Sequence, residues 1–185
     1  ILCMMRGASL DENMEVIDLA KHFYRKGVCA VDLAGAEALY PTSDYKDLFT
    51  YAKKIGIPYT IHAGEADGYD SIKAAIEFGA KRLGHGVNII GHEDLIEKVI
   101  NSDILLEVCP TSNVQTNIVQ SYKDLPIKKL YDKGIAISIN TDNRTVSNTN
   151  LTKEYQNIVN SLGFKEDDII KMNKDAIKHS FLLEN

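Results

Sequence analysis

The chain has 185 residues, 44% of them hydrophobic and 25% charged, the balance of one soluble globular domain with a sizeable core. Its net charge of -5 and the lack of any Lys- and Arg-rich face argue against nucleic acid as a partner. No apolar run approaches the roughly 20 residues of a membrane span, and ILCMM at the start is too short for a signal peptide.

The first apolar run, ILCMM (1–5), reads as a strand that begins the chain abruptly. SLDENMEVIDLAKHFYRKG then reads as a helix with Val16, Ile17, Ala20, Phe23 and Tyr24 on one face. Ser9 and Glu12 form a capping-box pattern at its start, and Gly27 stands where a stop belongs. VCAVDLAG (28–35) is the second strand, and SDYKDLFTYAKKIG the second helix, with Tyr45, Leu48, Phe49 and Ala52 inward and a stop at Gly56. PYTIHAG (58–64), RLGHG (82–86), ILLEVCP (104–110) and IAISINTD (135–142) are four further strands. Between them lie the helical segments YDSIKAAIEFG, HEDLIEKVI and LPIKKLYDKG, the last with Pro126 near its start and Gly134 at its end. LTKEYQNIVNSLG and KEDDIIKMNKDAIKHSFL are two closing helices, and the acidic residues 165–168 suit the solvated first turn of the second.

Strict alternation of strand and helix predicts βαβ units and a parallel sheet, with near-continuous apolar strands buried on both faces. No Gly-rich phosphate loop follows the first strand, which favours a barrel over a doubly wound sheet. A (β/α)8 TIM barrel closes at eight strands. The expectation is therefore an α/β fold in which residues 1–185 form a single domain, about six strand–helix units with their C-terminal helices, the first two units lying upstream.

Cys3, Cys29 and Cys109 sit in apolar runs with no C-x-x-C pair, and read as buried, reduced thiols of a cytoplasmic protein. Cys109-Pro110 lacks the second cysteine of the P-C-x-x-C deaminase signature.

In a parallel barrel the chemistry sits at the carboxyl ends of the strands. Polar residues fall there: Asp32 and Gly35, then His62 and Glu65, then His85, then Asp142 and Asn143. Two His, a Glu and an Asp converging from three strand ends predict one shared site. His and Asp suit a borderline cation such as zinc, which needs about three protein ligands plus a water and brings that water's pKa to about 7. A further His can orient the nucleophile, and a carboxylic acid can protonate the electrophile. Gly64, Gly84 and Gly86 are expected to keep the rim thin for a ligand. Glu107 is either a site residue or a hydrogen-bonded strand carboxylate. Asp32 either orients a ligand or supports a loop. Glu37 reads as a loop charge or as a support for a neighbouring site residue, and His22, His92 and His179 as solvent-facing or structural.

TIHAGE, RLGHG, LEVCPTSN and SINTDN, in that order and with VDLAGAE and the final SFL, resemble the adenosine deaminase family of metal-dependent hydrolases, in its bacterial type. The resemblance implies water attacking C6 of adenosine, with inosine and ammonia as products. It also implies one Zn2+ per complete site and a small purine nucleoside as substrate. By motif it makes His62 and Asp142 zinc ligands and Glu65 the acid that protonates purine N1. His85 becomes the residue that orients and helps deprotonate the water, with the Gly35 backbone and Asn143 contacting the purine. The family's H-x-H pair is absent, so two further His ligands are expected upstream of Ile1. Asn143 replaces the second Asp of the family's Asp-Asp pair, and its amide can donate to purine N7 at any pH. The alternatives are a deaminase of adenine or AMP, or a non-catalytic truncated fragment. AMP calls for basic groups, whereas Asp67 and Asp70 follow HAGE and a single Arg144 follows TDN.

Overall fold

The computed structural model describes residues 1–182; the last three of the expected domain 1–185 lie outside the described residues. Six parallel strands follow one another in space as they do in sequence: β1 (Leu2–Met5), β2 (Val31–Ala34), β3 (Thr60–Ala63), β4 (Arg82–His85), β5 (Leu105–Val108) and β6 (Ala136–Ile139). β1 pairs with β2, β3 to β6 form a four-stranded sheet, and a bridge from Val31 to Tyr59 joins the two. This is the α/β succession of a (β/α) barrel, present as an arc of six strands.

The pairing register sorts side chains by face. Met4, Leu33, Ile61, Leu83, Leu106 and Ile137 form one row, all fully buried in the core against the helices. The opposite row carries Cys3, Asp32, Thr60, His62, Arg82, Gly84 and Glu107, and lines a cavity of about 340 Å³. Burial on both faces, as expected from the apolar runs, is complete on the helix-facing row and partial on the other, where Thr60, Gly84 and Leu105 are buried but Asp32, His62, Arg82 and Glu107 are partly exposed. At β1, which pairs on one side among the described residues, Cys3 is exposed and Met5 is 49% exposed. The expectation of buried thiols holds for Cys109 alone, Cys29 being partly exposed; all three are free.

Helix α1 (Leu10–Phe23) begins with the capping box: Ser9 Oγ accepts the Glu12 N–H at 3.2 Å, and Glu12 Oε2 accepts the Ser9 N–H at 2.8 Å. It buries Asn13, Ile17 and Ala20, and stops at Phe23, earlier than Gly27 suggested, leaving Phe23 44% exposed. Gly27 instead serves the turn into Val28 with φ 112°. α2 (Lys46–Lys54) follows a 3-10 turn at Thr42–Tyr45; the turn buries the expected Tyr45 and the helix the expected Leu48, Phe49 and Ala52. α3 (Tyr69–Phe78) ends in a left-handed Gly79, and α4 (Glu93–Asn101) buries Leu95, Ile96 and Val99.

Two short helices were not apparent from the sequence. α5 (Pro110–Gln115) starts directly after β5, with Pro110 in its first turn, and α7 (Arg144–Ser147) starts after β6. α6 (Ile127–Asp132), α8 (Leu151–Leu162) and α9 (Glu166–Lys178) complete the chain. No helix among the described residues is long and apolar enough to cross a membrane.

Candidate active site

The cavity opens where strand residues give way to left-handed turns. His85, the last residue of β4, has φ 62°, and Asp142, just beyond β6, has φ 53°. Such conformations are uncommon outside glycine and concentrate at functional positions. Both residues line the cavity, together with His62 from β3. The His62 and His85 rings lie 5.4 Å apart, and Glu65 Oε2 is 3.5 Å from His85 Nε2. His62, Glu65, His85 and Asp142 are thus brought together.

Asp32 grips His62: its two oxygens lie 3.0 and 3.1 Å from Nδ1. Of the two roles open to Asp32, the geometry selects orientation of a neighbouring side chain. Burial works against a charged His62, but the bond to Asp32 and the nearby Glu107 and Asp142 outweigh it and raise its pKa to about 8. His85 is 1% exposed, and burial, helped by the neighbouring His62, lowers its pKa to about 4, so its ring is neutral at pH 7. Burial raises the pKa of Glu65, with Asp142 adding to the effect. Glu65 is thereby pushed toward the protonated acid.

Helix α5 supports two of these groups. Ser112 Oγ donates to Asp142 Oδ2 at 2.8 Å, and the fully buried Asn113 places its amide Nδ2 3.2 Å from His85 Nδ1. With that amide donating, the ring proton sits on Nε2, toward Glu65. Neither supporting residue had a signal beyond its place in CPTSN.

Gly84 faces His62 across the β3–β4 pair: a Cβ there would stand 2.9 Å from His62 Cγ and Nδ1. Gly64 and Gly86 lie against Ile72 and Leu106 side chains. Gly64 and Gly86 therefore clear space for protein side chains, while Gly84 also lines the cavity, where the expected thin rim would lie. Glu107 resolves as a bonded strand carboxylate on the cavity face: it accepts from Arg82 Nε at 2.7 Å and from Thr60 Oγ1 at 2.7 Å. Gly35, at the end of β2 with φ 114°, and Asn143 do not line the cavity. The Asn143 side-chain oxygen caps α7, accepting the N–H groups of Thr145 and Val146 at 3.2 and 3.0 Å, so its amide N–H group remains the free end. Of the other histidines, His179 is held by the Asp103 and Asp175 carbonyls, His92 packs on Tyr69, and His22 is exposed.

A metal can be tested against these donors. With Nδ1 occupied by Asp32, His62 keeps Nε2 as its ligating atom, the arrangement in which a carboxylate fixes the tautomer of a metal-bound imidazole. Asp142 keeps one oxygen beyond the one bonded to Ser112. This donor chemistry fits zinc as part of a set; among the described residues no cluster of three or more His, Cys, Asp or Glu is arranged to hold a metal ion.

Comparison with known proteins bears on the family and the fold. The family model for adenosine deaminase matches residues 1–185. A curated adenosine deaminase of Clostridium kluyveri is 42% identical over 182 residues, covering 98% of this chain and 52% of that protein. Arabidopsis ADAL, solved in complex with IMP, superposes with a TM-score of 0.89 at 27% identity, over 99% of this chain and 53% of that one. An amidohydrolase of Burkholderia ambifaria, solved with bound Zn, has a TM-score of 0.89 at 21% identity, over 98% of this chain and 51% of that one, a likeness of fold alone. The chain spans about half the length of the curated relatives it matches.

Proposed function

The chain belongs to the adenosine deaminase family, and on that premise we propose that the protein removes the 6-amino group of adenosine and 2'-deoxyadenosine by hydrolysis, yielding inosine or deoxyinosine and ammonia in purine salvage. The observation that carries the reading is the convergence of His62, His85 and Asp142 on one cavity, with the Glu65 carboxylate 3.5 Å from the His85 ring.

His62 Nε2 and the free oxygen of Asp142 would hold part of a zinc site, with two further His ligands supplied from outside the described residues. Zinc, when bound, supplies a Lewis acid that acidifies a water to a pKa of about 7. Glu65, whose pKa burial raises, donates a proton to purine N1 and so makes C6 electrophilic. His85, neutral and fixed by Asn113, holds the attacking oxygen through its Nε2 proton. For His85 to receive a proton at Nε2, Asn113 must present its carbonyl to Nδ1 instead. Gly35 and the free amide N–H group of Asn143 complete the reading as purine contacts, with Asn143 donating to N7.

Adenosine is favoured over AMP by the charges at the cavity. Asp32, Glu107 and Asp142 line it, and its lining cations among the described side chains, Arg82 and His62, are already bonded to Glu107 and Asp32. A 5'-phosphate would meet carboxylates with no free positive partner in that lining. The IMP complex of the Arabidopsis relative gives the nucleotide reading its own support, so the test includes it. The same reading puts the protein in the cytoplasm, in keeping with its free thiols. Assaying the full-length protein with adenosine, 2'-deoxyadenosine, adenine and AMP, by ultraviolet loss of the aminopurine, decides among them. Adenosine is expected to give the highest kcat/KM; a preference for AMP or adenine overturns the assignment.

A further inference from the structure

Glu37 is 4% exposed, a place where a carboxylate survives only with full hydrogen bonding. Its Oε1 accepts the N–H of Gly64 at 2.7 Å, and its Oε2 accepts those of Glu65, Ala66 and Asp67 at 3.0, 2.9 and 3.1 Å. The Ser71 hydroxyl adds a further donor from the first turn of α3. That hydroxyl is 2.5 Å from Thr42 Oγ1, which accepts from Arg6 Nη2 at 2.9 Å. The same Arg6 nitrogen donates to the His62 carbonyl at 2.6 Å.

Four consecutive amides aimed at one side chain have no partner in any regular element, so the loop keeps this shape only while the carboxylate is there. The loop is the one that carries Glu65. From its other side Asn88 Nδ2 donates to the carbonyls of Glu65 and Asp67 at 2.8 and 3.1 Å. The backbone around Glu65 is clamped on its N–H groups by Glu37 and on its carbonyls by Asn88. Glu37 itself does not line the cavity, so it can reach the chemistry only through what it holds.

We propose that Glu37 is a positioning residue for the proton donor: by collecting the amides of residues 64–67 it sets the backbone from which Glu65 reaches the His85 ring. The inference rests on the role given to Glu65 above. In Glu37→Gln an amide replaces the carboxylate at nearly equal volume, so one end must present N–H groups to N–H groups. A misplacement of about 1 Å at a catalytic group can cost about 10²-fold in rate.

The test uses the full-length protein and two readouts. Hydrogen exchange in Glu37→Gln is expected to speed up about tenfold or more at amides 64–67, the loss expected when hydrogen bonds to a charged acceptor are removed. Exchange in β4 to β6 should be unchanged. On adenosine, kcat is expected to fall about 10²-fold with KM little changed and bound metal retained. Loss of protection across the whole sheet would make Glu37 a general stability element and overturn the proposal, as would an unaltered kcat. If Glu37→Gln does not fold, Ser71→Ala removes one donor and leaves the charge; faster exchange confined to 64–67 supports the proposal, and unchanged exchange there overturns it. A wild type that deaminates no purine refutes the functional reading alone, and the exchange result then still decides whether Glu37 sets the loop.

Discussion

Gly84→Ala puts a methyl group where the His62 ring now lies. The new Cβ would stand 2.9 Å from His62 Cγ and Nδ1 and 3.1 Å from its Cα, whereas ordinary contact begins at 3.4 Å. The ring must therefore retreat by about 0.5 Å, or the two strands must part. Neither move is free. His62 Nδ1 is held at 3.0 Å by Asp32, and the β3–β4 register pairs His62 directly with Gly84. Overpacking of this kind costs about 1–3 kcal/mol of stability. Metal bonds tolerate about 0.2 Å of error, so the displacement is also large for a ligand. A shift transmitted to a ligand in this way is expected to weaken metal binding about 10–100-fold, as loss of an outer-shell partner does. The assay is zinc competition against a chelator in the full-length protein, with thermal unfolding measured alongside. A Gly84→Ala protein that binds zinc and deaminates adenosine as the wild type does would refute the placement of His62 as a ligand packed against a bare backbone.

Glu65→Gln should leave bound metal in place and cut kcat by about 10²–10⁴-fold, because it removes a proton donor and no ligand; metal loss in that variant would make Glu65 a ligand. Asp32→Ala should lower metal affinity by about 10–100-fold through the freed His62 ring, and unaltered affinity in the chelator assay would contradict the tether. Glu37 predicts an acid-side stability effect. Burial opposes its charge, but the Ser71 hydroxyl and the loop amides outweigh it, so its folded pKa lies below the ordinary 4.5. Its contribution is present above that value and is lost as pH falls through the folded one. Urea midpoints between about pH 7 and pH 3 should thus fall less steeply for Glu37→Gln than for wild type, and parallel curves would contradict the sign.

Helices with a full apolar stripe could be read from the sequence. Across the Thr42–Tyr45 turn and α2, the spacing of Tyr45, Leu48, Phe49 and Ala52 marks the buried face because those side chains recur at the helical period. The strand ends carrying His62, His85 and Asp142 were legible for a different reason: ionisable residues stand out where apolar runs stop. What failed was local in another sense. α5 has six residues and α7 has four, too few for any period to show, so the partners Ser112 and Asn113 stayed hidden. Glu37 looked like a loop charge because its four amide partners lie 27 to 30 residues away. The polar cavity face of the strands was hidden by the apolar average of each run: Arg82, Glu107 and Thr60 satisfy one another only once β3, β4 and β5 are paired.

The most direct test is a crystallographic anomalous difference map of the full-length protein, collected at the zinc absorption edge. The account predicts one peak within about 2.0–2.2 Å of both His62 Nε2 and an Asp142 oxygen, with Glu65 outside bonding distance. A peak elsewhere, or one bonded to Glu65 and not to Asp142, would contradict the assignment of this cavity as the deaminase site.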